Sequence, residues 1–130
     1  MPDAIHPADA VDLRTTTAWI EHVPRGVVRA TGGDAVAFVE KFTTAAVAGL
    51  EPGTGREGFF TDARGWVLAH ALLLRVEEGL LIDCDDTAAG SLRDHLEHFH
   101  IREDVAFDDE TAAVSCIAVA GPDAAAAVAG

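Results

Sequence analysis

The sequence predicts an α+β domain, an antiparallel sheet with helices packed on one face. The apolar pattern alternates between strand-like and helix-like periods along the chain, and glycine-containing turns join consecutive strands as hairpins. The length, 130 residues of which 49% are hydrophobic, suits one domain with its own core. Residues 1–16 are polar, hold two prolines and show no periodicity, so they read as an N-terminal arm. Residues 17–130 read as a single domain.

"AWIEHV" (18–23) and "GVVRATG" (26–32) have the composition of short strands, separated by a turn at Pro24–Gly26. The period then changes. Val36, Val39 and Phe42, flanked by Phe38, predict a helix with Asp34 as N-cap, ending near Gly49 and before Pro52. "EPGTG" is a loop. "REGFFTD" (56–62) and "WVLAHALLLR" (66–75) form a predicted hairpin turned at "DARG", with Gly65 free to take a positive φ. A buried helix is the competing reading of the second run, but its bounding glycines favour a strand. "LLIDCD" (80–85) follows as the next strand. Leu92, Leu96 and Phe99 lie on one stripe of a helix within residues 87–100, with Arg93, Asp94 and Glu97 toward water. "DVAFDD" (104–109) and "AAVSCIAVAG" (112–121) are strand-like, and Pro122 and Asp123 open a last helix. Only about two turns of it fit before Gly130, so a shortened architecture is expected.

Charge narrows the function. The formal net charge is −13, with one lysine and eight arginines scattered along the chain, which argues against direct nucleic-acid binding. "MPDAIHPADAVDLRTTT" lacks the apolar core of a signal peptide, and no apolar run is long enough to span a bilayer. Cys84 and Cys116 fall in strand-like segments and read as reduced core thiols. The expected location is cytoplasmic, with no membrane association.

Few constellations carry chemistry. His95 and His98 have the spacing of two imidazoles that share a metal, but no third ligand is evident, so a solvated helix face is the better reading. Asp83, Asp85 and Asp86 form an acidic run without EF-hand spacing. "TGGD" (31–34) lacks the phosphate-loop pattern, and neither Ser91 nor Ser115 sits in a nucleophile elbow. No catalytic residue and no metal site is assigned. The oddest residue is His70, a lone imidazole inside a nine-residue apolar stretch.

The order of segments resembles the amino-terminal region of the YgfZ/GcvT superfamily. The residues that carry the likeness are "TGGDAVAFVEKFTTAAVAGL", "EPGTG", "FFTDARGWVLAHALLLR", "GLLIDCDD" and "CIAVAGPDA". That superfamily unites folate-binding proteins implicated in iron–sulfur cluster maintenance with the aminomethyltransferase of glycine cleavage. The resemblance implies an α+β domain lining one side of a folate site. It also implies a ligand set: Thr44 falls on the threonine of the family's Thr-Asn-Asp segment, and His70 on an acid carried inside the long strand. Asp85 and Asp86 fall near a polar position of the next strand. Ala45 and Ala46 replace the Asn-Asp pair. An acid at position 70 would accept hydrogen bonds from a pterin's amino and N–H groups, whereas a neutral imidazole has one acceptor and one donor. The function expected first is therefore a tetrahydrofolate-binding domain of the YgfZ branch, non-catalytic by itself, supporting iron–sulfur cluster assembly. Alternatives are an aminomethyltransferase domain, or a shortened interaction module that has lost folate binding. The expected partners are a reduced folate and either a second polypeptide or a second copy of the chain.

Overall fold

The computed structural model describes residues 12–129, so residues 1–11 of the expected arm lie outside the described residues. In chain order the elements are β1 (Ala18–Ile20), β2 (Arg25–Thr31), α1 (Ala35–Glu40), β3 (Gly55–Thr61), β4 (Val67–Val76), β5 (Gly79–Asp85), α2 (Ala89–His98), β6 (Ala106–Asp109), a 3-10 turn (Thr111–Ala113), β7 (Ala118–Ala120) and α3 (Ala124–Ala129). The described residues fall into two compact units: Arg25–Val114, and 12–24 with 115–129.

The larger unit is built on a five-stranded sheet of order β3-β4-β5-β2-β6, every pair antiparallel. Alternation along each strand sends one set of side chains inward: Val28 and Ala30 from β2, Ala69, Ala71 and Leu73 from β4, and Leu80, Ile82 and Cys84 from β5. Phe38 and Val39 of α1 and Leu92 and Leu96 of α2 join them in one buried cluster. Each large apolar side chain buried there contributes about 1.5–3 kcal/mol. The α+β class and the antiparallel sheet are as predicted. The long apolar run is a strand, β4, and its hairpin turns where expected: Asp62 accepts the N–H groups of Arg64 (2.8 Å) and Trp66 (3.0 Å), and Gly65 takes φ 85°.

Three segments differ from expectation. The helix expected to run from Asp34 to Gly49 stops at Glu40. Beyond it the chain finds better partners on β3. Thr43 bridges Phe60, and the Thr44 N–H donates to the Phe59 carbonyl at 2.9 Å. The Glu40 carboxylate reaches forward to accept the N–H groups of Val47 (2.8 Å) and Ala48 (2.6 Å), which closes the loop. Asp34 precedes the helix but makes no cap hydrogen bond; its carboxylate accepts the Asp104 N–H at 2.7 Å instead. In α2, Leu92 and Leu96 are buried as predicted, whereas Phe99 lies just past the helix end and is 43% exposed. Arg93, expected in water, donates from Nε to the Phe107 carbonyl at 3.2 Å. Finally, the strand expected over 112–121 shrinks to β7. Its first residues go into the 3-10 turn opened by Thr111, whose hydroxyl donates to Asp109 (2.5 Å) and accepts the Val27 N–H (3.2 Å).

The smaller unit pairs β1 with β7, Trp19 opposite Val119. The Thr17 hydroxyl accepts the Asp123 N–H at 2.8 Å, which anchors the start of α3. Gly121 is required at φ 129°, because a Cβ there would lie 2.4 Å from Thr17 Cα.

His100 closes the loop between α2 and β6. Its Nδ1 faces the Glu97 carboxylate at 3.1 Å and its Nε2 the Glu103 carbonyl at 2.8 Å. Two acceptors on one ring demand two donors, so this site selects the imidazolium. The hydrogen bond to Glu97 and then that to Glu103 raise the His100 pKa above its ordinary 6.5. The ring also packs edge-on to Phe38 and Phe107. Stability from the charged ring is complete below the ordinary value and fades as pH rises through the raised one. Replacing His100 with Gln is therefore expected to lower the urea midpoint at every pH through lost packing. The deficit should be larger at about pH 5.5 than at about pH 8.5. A second prediction concerns Gly58, where a Cβ would lie 2.7 Å from Ala45 Cβ and 3.0 Å from Ala45 N. G58A should cost about 1–3 kcal/mol by overpacking in urea denaturation. G49A, whose added methyl meets nothing within 4 Å, is the matched control.

Candidate functional site

The phase that buries Ala69, Ala71 and Leu73 forces His70 and Leu72 of β4 onto the opposite, open face of the sheet. The same alternation places Glu57 and Phe59 of β3, Asp83 and Asp85 of β5, and Arg25, Val27 and Arg29 of β2 on that face. Register then aligns them. Phe59 pairs with His70, and Arg25 with Asp85. The ladder between β4 and β5 closes at Leu72 and Asp83, two residues short of both His70 and Asp85. These two therefore share one level of the sheet, where the strands leave each other's hydrogen bonds. A β-bulge between Phe60 and Thr61 bends β3 beside this level.

Thr44 joins the same row from the loop after α1. Its hydroxyl accepts the Phe59 N–H at 2.9 Å while its own N–H reaches the Phe59 carbonyl. The Phe59 ring is 46% exposed and lies 5.1 Å from the His70 ring, and the side chain of His70 is 55% exposed. Thr44, His70 and Asp85 thus stand along one line across the open face, with Phe59 between the first two. Asp86 does not join them; it follows the strand end, in the turn to α2. The Ala45 and Ala46 departure has a structural reason at its first position. Ala45 is buried against Gly58, where a larger polar side chain has no room.

Cations on this face are already engaged. Arg25 Nε donates to Asp83 at 2.8 Å, which raises the arginine's pKa. Arg29 Nε donates to Glu110 at 2.8 Å and its Nη1 to Glu78 at 3.1 Å. His70 Nε2 lies 3.7 Å from the Glu57 carboxylate. The sequence reading missed Phe59, Glu57 and Arg25. "REGFFTD" offers two adjacent phenylalanines, and composition alone does not say which one faces out.

Other groups stand elsewhere. Cys84 is in the core, where burial pushes its thiol up to about 11, so it holds no thiolate at neutral pH. His95 packs edge-on between Phe42 and Phe99, and its Nε2 is buried without a partner. His98 is exposed, and among the described residues no three His, Cys, Asp or Glu side chains gather as a metal site. A cavity of about 200 Å³ lies beside His95, lined also by Lys41, Thr61 and Asp62. Another, of about 490 Å³, is bounded by Gly32, Gly33, Arg75 and Glu78. Arg75 is tied down there, donating to the carbonyls of Val76 and Gly79. Neither cavity is lined by Thr44, His70, Asp85 or Asp86.

The fold has known counterparts. The crystal structure of the glycine cleavage system aminomethyltransferase T from Bartonella henselae superposes with a TM-score of 0.74 at 20% identity, covering 90% of this chain and 32% of that one. The mitochondrial aminomethyltransferase of Flaveria anomala is 34% identical over 73 residues, and that of Flaveria pringlei 33% over the same length. Each match takes in 52% of this chain and only 18% of the relative. The sequence profile of the GCVT N-terminal domain matches residues 3–130, nearly the whole chain. By that match the protein belongs to the GCVT N-terminal domain family.

Proposed function

We propose that this chain is the tetrahydrofolate-binding part of an aminomethyltransferase-type protein, and that it binds the reduced folate on the open face of its sheet. The observation that carries the reading is the row formed by Thr44, Phe59, His70 and Asp85. Family membership and the aminomethyltransferase relatives support it. They favour this reading over a YgfZ-branch role in iron–sulfur cluster assembly, for which neither the relatives nor the residues supply support.

Each residue has a definite task in this proposal. Phe59 offers a flat apolar surface to a heterocycle. His70 offers one donor and one acceptor at the ring's edge, and Asp85 adds acceptors at the same level. Thr44 touches no ligand directly in this scheme; its hydroxyl holds the backbone of Phe59 and so the angle of the ring. The chain binds and orients, and no catalytic residue is assigned to it. A cytoplasmic setting belongs to the same proposal, supported by the free thiols of Cys84 and Cys116. Among the described residues no helix is long and apolar enough to cross a membrane. A second polypeptide or a second copy of the chain also belongs here. Trp66 and Val67, 69% and 59% exposed at one end of the β3–β4 hairpin, support such a contact.

Thermal denaturation with tetrahydrofolate kept reduced tests the reading. A ligand at about 100 times its Kd stabilises the native state by about 2.7 kcal/mol, a shift of several degrees for a domain of this size. The shift should shrink for F59A. An unchanged melting temperature at saturating tetrahydrofolate would overturn the proposal.

A further inference from the structure

The helix side of the larger unit holds polar groups that the open face of the sheet does not use. His95 sits on α2 with its Nε2 buried and unpartnered, and it borders the cavity of about 200 Å³. A buried polar atom without a hydrogen bond is costly, so this one calls for a partner that arrives with a ligand. Phe42 and Phe99 form an apolar wall of the cavity, their ring centroids 5.3 Å apart. Charges of both signs border it. Lys41, at the end of α1, makes no ion pair among the described residues, although acids outnumber lysine and arginine 22 to 9. Asp62 adds a carboxylate whose Oδ1 takes the Arg64 and Trp66 N–H groups, which leaves Oδ2, 3.6 Å from Arg64 Nη2, as the freer oxygen. Thr61 adds a hydroxyl.

We infer that this cavity binds a small zwitterion with an apolar side chain, a free apolar amino acid. Volume sets the size, since sites for drug-sized ligands span roughly 300–1,000 Å³ and this one is smaller. Charge sets the class. A chain of formal net charge −13 repels a simple anion, and a simple cation would meet Lys41 with like charge. A zwitterion is neutral overall and matches both signs. Its carboxylate takes the Lys41 ammonium, and its own ammonium takes Asp62 Oδ2 and the Thr61 hydroxyl. His95 Nε2 accepts from that ammonium when Nδ1 carries the ring proton, and donates to the carboxylate when Nε2 carries it. The apolar side chain lies against Phe42 and Phe99. Neither Phe59 nor His70 borders the cavity, so this site stands independently of the folate reading.

Isothermal titration of the full chain with leucine and two analogues tests the site. Isocaproate is leucine without its amino group, and isoamylamine is leucine without its carboxylate. Leucine should bind saturably, and each analogue at least about fivefold more weakly, because each leaves one charge of the cavity unmatched. K41Q should weaken leucine at least about fivefold and leave isoamylamine no weaker than before, since the amine has nothing to offer the lysine. H95F should weaken leucine by a similar factor without lowering the melting temperature of the free protein, because it removes an unpartnered polar atom. That second readout separates a ligand contact from a merely structural role. R102Q, at an exposed position outside the cavity, should bind leucine as the native chain does. No saturable binding of leucine to the native chain would overturn the inference. Native-like leucine affinity in K41Q or H95F, or equal affinity for leucine and isoamylamine, would overturn it as well.

Discussion

The phase of β4 is the constraint on which the rest of the larger unit depends. Ala69, Ala71 and Leu73 face the buried core, so the residues between them must face away. A slip of one residue would bury His70 without a partner and expose Leu73, and the cost of both errors is what holds the register. Small residues at 69 and 71 let Phe60 and the loop around Ala45 fill the inner side, and glycine at 58 admits that loop. The imidazole in the apolar run is therefore an outward residue of a strand whose other face is core. It needs no buried partner because it is not buried.

On that outward face the cations of a strongly acidic protein are paired. The chain carries a formal net charge of −13, yet both arginines of β2 that face outward are matched by acids: Asp83 of β5, Glu78 of the turn before it and Glu110 just after β6. These pairs are partly exposed, so each adds little stability, about 0–1 kcal/mol. Their larger effect is on what remains. With Arg25 and Arg29 engaged, Glu57 has only the His70 ring beside it, and that ring packs on Phe59. His100 stands on the helix side, where its ring bridges Glu97 of α2 and the Glu103 carbonyl in the loop before β6 and packs edge-on to Phe38 and Phe107.

The loop after α1 shows tertiary contacts overriding a local pattern. Val36, Val39 and Phe42 have helical spacing, and nothing in the sequence between Glu40 and Gly49 forbids a helix. The edge of β3 nevertheless offers Thr43 and Thr44 backbone partners, and a β-branched residue loses little by extending there. Glu40 completes the exchange by accepting two N–H groups that a helix would otherwise have satisfied. The outcome matters for the site, because this loop delivers Thr44 to Phe59.

Much of the fold was legible in the sequence because its signals are local. Length and bounding glycines marked β4, period-2 alternation marked β5, the "DARG" turn marked the β3–β4 hairpin, and the Leu92–Leu96 stripe marked α2. The order of segments was enough to place the chain near its family. Three of the four candidate site residues, Thr44, His70 and Asp85, also fall on one face. What only the tertiary structure decided was how residues far apart in sequence line up: where α1 yields to β3, that Phe59 rather than Phe60 faces out, and that Glu57 stands beside His70. Those outcomes depend on strand register and on competition between partners for the same backbone groups. Such energies arise only between segments, and no window of a single segment contains them.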